Sequence, residues 1–116
     1  MAADHDRLQS QCFLWLWNTY PQTRRTMWHT TNELVPIKGE TKDQYYVRLS
    51  RLKAIGVVSG VVDLIWHWKD RFIMFDIKIG KDRLSKEQKE FIEMNGGVFY
   101  EINDLAGFIQ IINTFI

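Results

Sequence analysis

Residues 60–79 read GVVDLIWHWKDRFIMFDIKI, and the other elements arrange themselves around this stretch. Two β-branched and aromatic runs, Val61 to Trp68 and Arg71 to Ile79, flank Lys69-Asp70, the two-residue spacing of a tight hairpin. Strand alternation sends Phe72, Met74, Asp76 and Lys78 to one face and Ile73, Phe75 and Ile77 to the other. Pairing about Lys69-Asp70 places Asp63 across from the level of Asp76. Two acids and a lysine therefore meet on one patch of otherwise apolar strands. Burying a carboxylate in such a run costs free energy, which marks the patch as a candidate site.

Two carboxylates within reach repel unless a proton or a cation stands between them. Hard divalent ions such as Mg²⁺ take oxygen ligands from one or two carboxylates and leave room for waters and phosphate oxygens. A lysine beside such an ion orients or deprotonates a water and stabilises charge in the transition state. The pattern suits metal-assisted phosphodiester hydrolysis. The plainer account of Asp-X-Lys in a strand is a surface ion pair.

Working outward, residues from about 6 to 19 read as a helix with Leu8, Cys12, Trp15 and Leu16 on one face, stopped before Pro21. Trp15 and Trp17 cannot both face inward. Thr26 to Thr30 is a short strand. Thr41 with Gln44 forms a capping box opening a helix to about Ala54, closed by Gly56. Ser85 with Gln88 opens another to about Met94, ended by Gly96-Gly97. Val98 to Ile102 is a further strand, and Asn103 caps a last helix. The order is α-β-α-β-β-α-β-α, a mixed α/β sandwich around a small sheet. The last helix carries Leu105, Phe108, Ile109, Ile111, Ile112, Phe115 and Ile116, so it is either deeply buried or part of a homodimer interface.

The 116 residues amount to one domain, and 46% hydrophobic with 25% charged residues is the balance of a folded core. One cysteine, Cys12, excludes a disulfide framework and multi-cysteine metal sites, and fits a reducing compartment. Three dispersed histidines do not add up to a zinc site. No apolar run approaches the ~20 residues of a membrane span, and the polar start is not a signal peptide. A cytoplasmic protein is expected. Between Arg24 and Phe91 there are 14 Lys and Arg against 9 Asp and Glu, which permits a polyanionic partner.

Asp63, then Asp76-Ile77-Lys78, then Leu84-Ser85-Lys86-Glu87-Gln88 resembles the PD-(D/E)XK nuclease superfamily, and more closely its virus-type replication-repair (VRR-NUC) family. Met27-Trp28-His29-Thr30-Thr31-Asn32-Glu33 resembles that family's strand ending in Asn. The run from Leu52 to Asp63 resembles its glycine-flanked approach to the first acid, and Gly97-Val98-Phe99-Tyr100 its following strand. The resemblance spans most of the chain, from about Leu8 to the final helix. It implies a restriction-endonuclease-like fold in which Asp63, Asp76 and the Ile77 carbonyl bind Mg²⁺ or Mn²⁺. Lys78 would position the attacking water, and Gln88 would contact the lysine, the water or the phosphate beside its capping role.

The chain departs from the family in having Val62 for a proline and Asp76 where Glu is commoner. The family's first helix carries a Glu. Here that region reads Asp4-His5-Asp6-Arg7-Leu8-Gln9, where Asp6 is a candidate for the acid and His5 an alternative occupant of the position. His29 and Asn32 fall on a segment resembling a DNA-facing one, although a strand-end His and a turn Asn explain them equally well. Arg48, Arg51 and Lys53 before the site, and Lys81, Arg83, Lys86 and Lys89 after it, suit a phosphate track or a solvated face.

The expectation is a metal-dependent endodeoxyribonuclease without organic cofactor. By resemblance it would be a homodimer acting on branched or four-way junction DNA, of phage or prophage origin. The competing expectation is a non-catalytic DNA-binding or assembly subunit that keeps the fold.

Overall fold

The computed structural model describes residues 2–30 and 34–116. Asn32 therefore lies outside the described residues. Along the chain come α1 (Ala2–Thr19), a 3₁₀ turn (Pro21–Thr23), β1 (Met27–His29) and α2 (Lys42–Ala54). The hairpin strands β2 (Leu64–Trp68) and β3 (Arg71–Ile77) follow, then α3 (Lys86–Met94), β4 (Phe99–Ile102) and α4 (Leu105–Phe115). The four strands make one mixed sheet in the order β1-β2-β3-β4. β1, β2 and β3 pair antiparallel; β4 returns parallel to β3, the crossover that α3 makes possible.

The hairpin sets the register. Lys69 and Asp70 both take positive φ (49° and 64°), the left-handed pair that matches strand twist in a two-residue loop. Trp68 then faces Arg71 and Leu64 faces Phe75. One step further along the same register, Asp63 stands across from Asp76.

Each sheet face is buried by helices. On one face Leu64, Trp66, Ile73, Phe75, Ile77 and Ile102 pack with Leu8, Cys12 and Leu16 of α1 and Phe108 and Ile112 of α4. On the other Val62, Ile65 and Met74 pack with Phe91 and Ile92 of α3. This three-layer arrangement agrees with the expected α/β class and element order. α4 buries Phe108 and Ile112 and half-buries Leu105, Ile109, Ile111 and Phe115, while Ile116 is 38% exposed. Burial pushes the Cys12 thiol up to about 12, leaving it a core residue. Of the two α1 tryptophans, Trp15 packs against the core, while Trp17 is 37% exposed beneath the Arg24 guanidinium.

Several boundaries differ from those expected. α1 begins at Ala2 rather than near Asp6; Asp4 and Arg7 pair across its first turn, and apolar spacing gives no signal there. β2 begins at Leu64 rather than Val61, and β3 ends at Ile77 rather than Ile79. Near that end side chains take over the hydrogen bonds: Asp63 N–H donates to Asp76 Oδ1, and Ile77 N–H donates to Asp63 Oδ2. α4 is capped by Asp104, whose carboxylate accepts from Gly107 N–H, while Asn103 Nδ2 donates to the Lys78 carbonyl. Both expected capping boxes, Thr41 with Gln44 and Ser85 with Gln88, are present.

The molecule measures 47 × 30 × 25 Å, with a radius of gyration of 15.5 Å against about 13 Å for a compact chain of this length. α2 buries only Leu52. No helix among the described residues is long and apolar enough to cross a membrane.

Candidate active site

The end of the sheet opposite the hairpin turn gathers side chains from four elements. Asp63 and Asp76 come from the paired ends of β2 and β3, Lys78 follows β3, Gln88 stands in the first turn of α3, and His5 in that of α1. Asp76 is 1% exposed. Its Oδ1 accepts from the Asp63 backbone, and its Oδ2 lies 2.8 Å from Lys78 Nζ and 3.4 Å from Gln88 Nε2. Burial pushes the Asp76 carboxyl up to about 6; the Lys78 ammonium pulls against this, and the Asp63 charge adds to it.

Asp63 is held differently. Its Oδ2 accepts from Ile77 N–H at 2.7 Å and meets His5 Nε2 at 3.0 Å. No hydrogen bond to its Oδ1 is formed among the described residues. Gln88 joins site and scaffold: its Oε1 accepts from Ser85 N–H at 3.1 Å and lies 3.5 Å from Lys78 Nζ. The capping role and the site contact are both realised by one side chain.

Two facing carboxylates, one of them buried and drawn toward protonation, are a donor set that a divalent cation would relieve. Asp63, Asp76 and the Ile77 carbonyl fit such an ion by chemistry. As they stand, however, no three His, Cys, Asp or Glu side chains among the described residues are grouped to hold a metal ion.

The two first-helix candidates are placed differently. The Asp6 side chain is 82% exposed, 3.6 Å from His5 Nδ1, and it is His5 that reaches Asp63. The sequence held the signal for this: His5 falls three, seven and eleven residues before Leu8, Cys12 and Leu16, at the end of the buried stripe, whereas Asp6 is turned about 100° away.

His29 lies beside the site, its Nδ1 2.9 Å from the Asp63 carbonyl and 2.8 Å from Gln9 Nε2. One tautomer donates to the carbonyl and the other accepts from the amide. His67, by contrast, stands exposed near the hairpin turn. Arg51 and Lys53 are exposed on the last turn of α2, and Lys81 and Lys86 are exposed after β3. Arg48 is instead committed to Glu40, at 2.8 and 2.9 Å, and to the Val35 carbonyl.

Two features had no counterpart in the expectations. Gly60, at φ +72°, lies so close to the start of α3 that a Cβ there would come within 2.5 Å of Glu87 Cβ and 2.7 Å of its backbone carbon. This contact fixes the approach to Asp63 against the helix that carries Gln88. Along β1, a cleft of about 510 Å³ opens between the edge strand and α1, lined by Asp6, Gln9, Ser10, Phe13, Met27, Trp28, His29 and Leu64. No protein-family model, curated protein or solved structure matches the chain.

Proposed function

We propose that the chain is a metal-dependent endodeoxyribonuclease of the PD-(D/E)XK type, similar to VRR-NUC nucleases. One observation carries the reading: Lys78 Nζ lies 2.8 Å from buried Asp76, which Asp63 faces across the β2–β3 register. The three-stranded antiparallel meander followed by a crossover to a parallel fourth strand is compatible with that fold.

When bound, Mg²⁺ or Mn²⁺ would supply charge neutralisation at the scissile phosphate and a more acidic water. Asp63 and Asp76 would hold it, with the Ile77 carbonyl. Lys78, steadied by Asp76 and Gln88, presents its ammonium to the attacking water and to the charge that develops on the phosphoryl oxygens. Gln88 fixes that ammonium from α3. His5 and the Ile77 amide hold one oxygen of Asp63.

Branched DNA, including four-way junctions, is the substrate we favour, with a second copy making the second cut. Arg51, Lys53, Lys81 and Lys86 would meet backbone phosphates. A second reading is a DNA-binding subunit without catalysis, which would bind DNA whether or not a metal is held.

The deciding experiment is cleavage of a labelled four-way junction and a matched linear duplex in Mg²⁺ and in Mn²⁺. Cutting by the unmodified chain, abolished in folded Asp76→Ala and Lys78→Ala, supports the nuclease. A folded chain that binds both DNAs and cuts neither supports the binding subunit.

A further inference from the structure

Asp63 immediately precedes β2, beyond the last β2–β3 pair of the register. Its polar groups are held by side chains and by the end of β1 instead. Its N–H donates to Asp76 Oδ1, and its Oδ2 meets Ile77 N–H and His5 Nε2. Its carbonyl accepts from Thr30 N–H at 3.0 Å and lies 2.9 Å from His29 Nδ1.

Strand period brings His29 there. Met27 and His29 share one face of β1, and Met27 packs in the core with Leu8, Cys12 and Leu16 of α1. α1 meets the ring in turn: Gln9 Nε2 lies 2.8 Å from the same Nδ1, one helical turn beyond His5. α1 therefore grips Asp63 twice, at the carboxylate through His5 and at the carbonyl through Gln9 and His29. A carbonyl oxygen only accepts, so the 2.9 Å contact requires the ring hydrogen on Nδ1. Gln9 shares that hydrogen through its amide oxygen after a half-turn of the amide. His29 is exposed, so packing does not account for its place. Its Nε2 makes no hydrogen bond among the described residues.

Resting on the nuclease reading, we propose that His29 is a positioning residue for the metal-binding carboxylate of Asp63. Its Nδ1–H fixes the Asp63 carbonyl, and with it the direction in which that side chain leaves the backbone. The role belongs to Nδ1 and not to Nε2, the nitrogen that a DNA contact would use.

Asparagine and glutamine separate the two nitrogens, because their amide N–H groups fall near Nδ1 and Nε2 respectively. The test measures Mn²⁺ affinity by electron paramagnetic resonance titration, and four-way junction binding in EDTA by fluorescence anisotropy. His29→Ala is expected to weaken Mn²⁺ binding about tenfold, as loss of a ligand-orienting partner does, and to leave junction binding within about twofold. His29→Asn should restore Mn²⁺ affinity to within about threefold of the unmodified chain, and His29→Gln should not. Nitrogen-15 spectra of the unmodified chain at about pH 8, above the ordinary imidazole range, should show the His29 hydrogen on Nδ1. A hydrogen on Nε2 overturns the role. Mn²⁺ affinity unchanged in all three variants, or lost equally in all three, overturns it too. Restoration by glutamine and not by asparagine, or junction binding lost in His29→Ala with Mn²⁺ affinity intact, assigns the ring to the nucleic acid through Nε2 and also overturns it. Each of these outcomes leaves the nuclease reading standing. An unmodified chain that binds no Mn²⁺ overturns that reading and the role together.

Discussion

Asp76 carries an unfavourable charge at neutral pH, because burial outweighs the help it receives from Lys78. The sign follows from the shift. Its carboxyl titrates near 6 in the fold against 3.8 ordinarily, so the native state holds the proton more tightly than the unfolded chain does. Stability from this group is therefore highest below about pH 4, falls as pH rises toward 6, and is flat above. Asp76→Asn, the neutral isostere, should raise the thermal midpoint at pH 7 by several degrees, corresponding to about 1 kcal/mol, and remove that slope. Calorimetry across pH 4–7 checks both. His5 and Asp6 differ as sharply. Because His5 holds Asp63 and Asp6 points to solvent, His5→Ala should weaken Mn²⁺ binding by tenfold or more, as loss of a ligand-orienting partner does. Asp6→Ala should leave it within about twofold. Mn²⁺ electron paramagnetic resonance titration separates the two.

Between elements, the contact that most constrains the site is Gly60 against Glu87. Gly60→Ala meets backbone as well as a left-handed φ, so α3 must move away from the approach to Asp63. A loss of about 2 kcal/mol or more is expected, with Gln88 displaced. Gly39 takes φ +87° with nothing within 4 Å of its Cβ position, so Gly39→Ala should lose only the conformational part, about 1 kcal/mol. Urea unfolding of the two variants compares them directly. Gly60 was legible only as a turn residue, because close approach between segments far apart in sequence leaves no local pattern. What could be read from sequence was what local rules govern: both capping boxes, the hairpin turn, and the placing of Asp63, Asp76 and Lys78 on one face by strand period. Asp104 as the α4 cap was not legible, because Asn103 and Asp104 are equivalent by propensity and tertiary contact with Lys78 took one of them. The use of side-chain rather than ladder hydrogen bonds at Asp63 and Ile77 was hidden for the same reason.

At the scale of the whole molecule, α2 stands apart from the two cores. Its segment exposes Val35, Ile37, Tyr46, Val47, Ile55 and Val58, and Arg48 ties the helix to its own preceding loop through Glu40 and the Val35 carbonyl. The Arg48 guanidinium beside Glu40 holds that carboxyl down at about 2, against 4.5 ordinarily. The stabilising charge on Glu40 is present above pH 4.5 and is lost as pH falls toward 2. Amides of α2 should therefore exchange with solvent far faster than those of β2 and β3. Arg48→Ala should speed α2 further while leaving the sheet unchanged, by hydrogen-exchange mass spectrometry.

The hairpin turn also acts as a ruler. Asp63 and Asp76 meet because equal numbers of residues separate each from the Lys69-Asp70 pair. One extra residue in that turn would slide the β3 sequence past β2 by a single step and reverse the face each β3 side chain presents. Asp76 would then point into the α1–α4 core and Phe75 into the site. The chain would resist by bulging or by unfolding. A length change at the far end of the sheet, some 17 Å from the carboxylates along β2, is thus as damaging as replacing one of them.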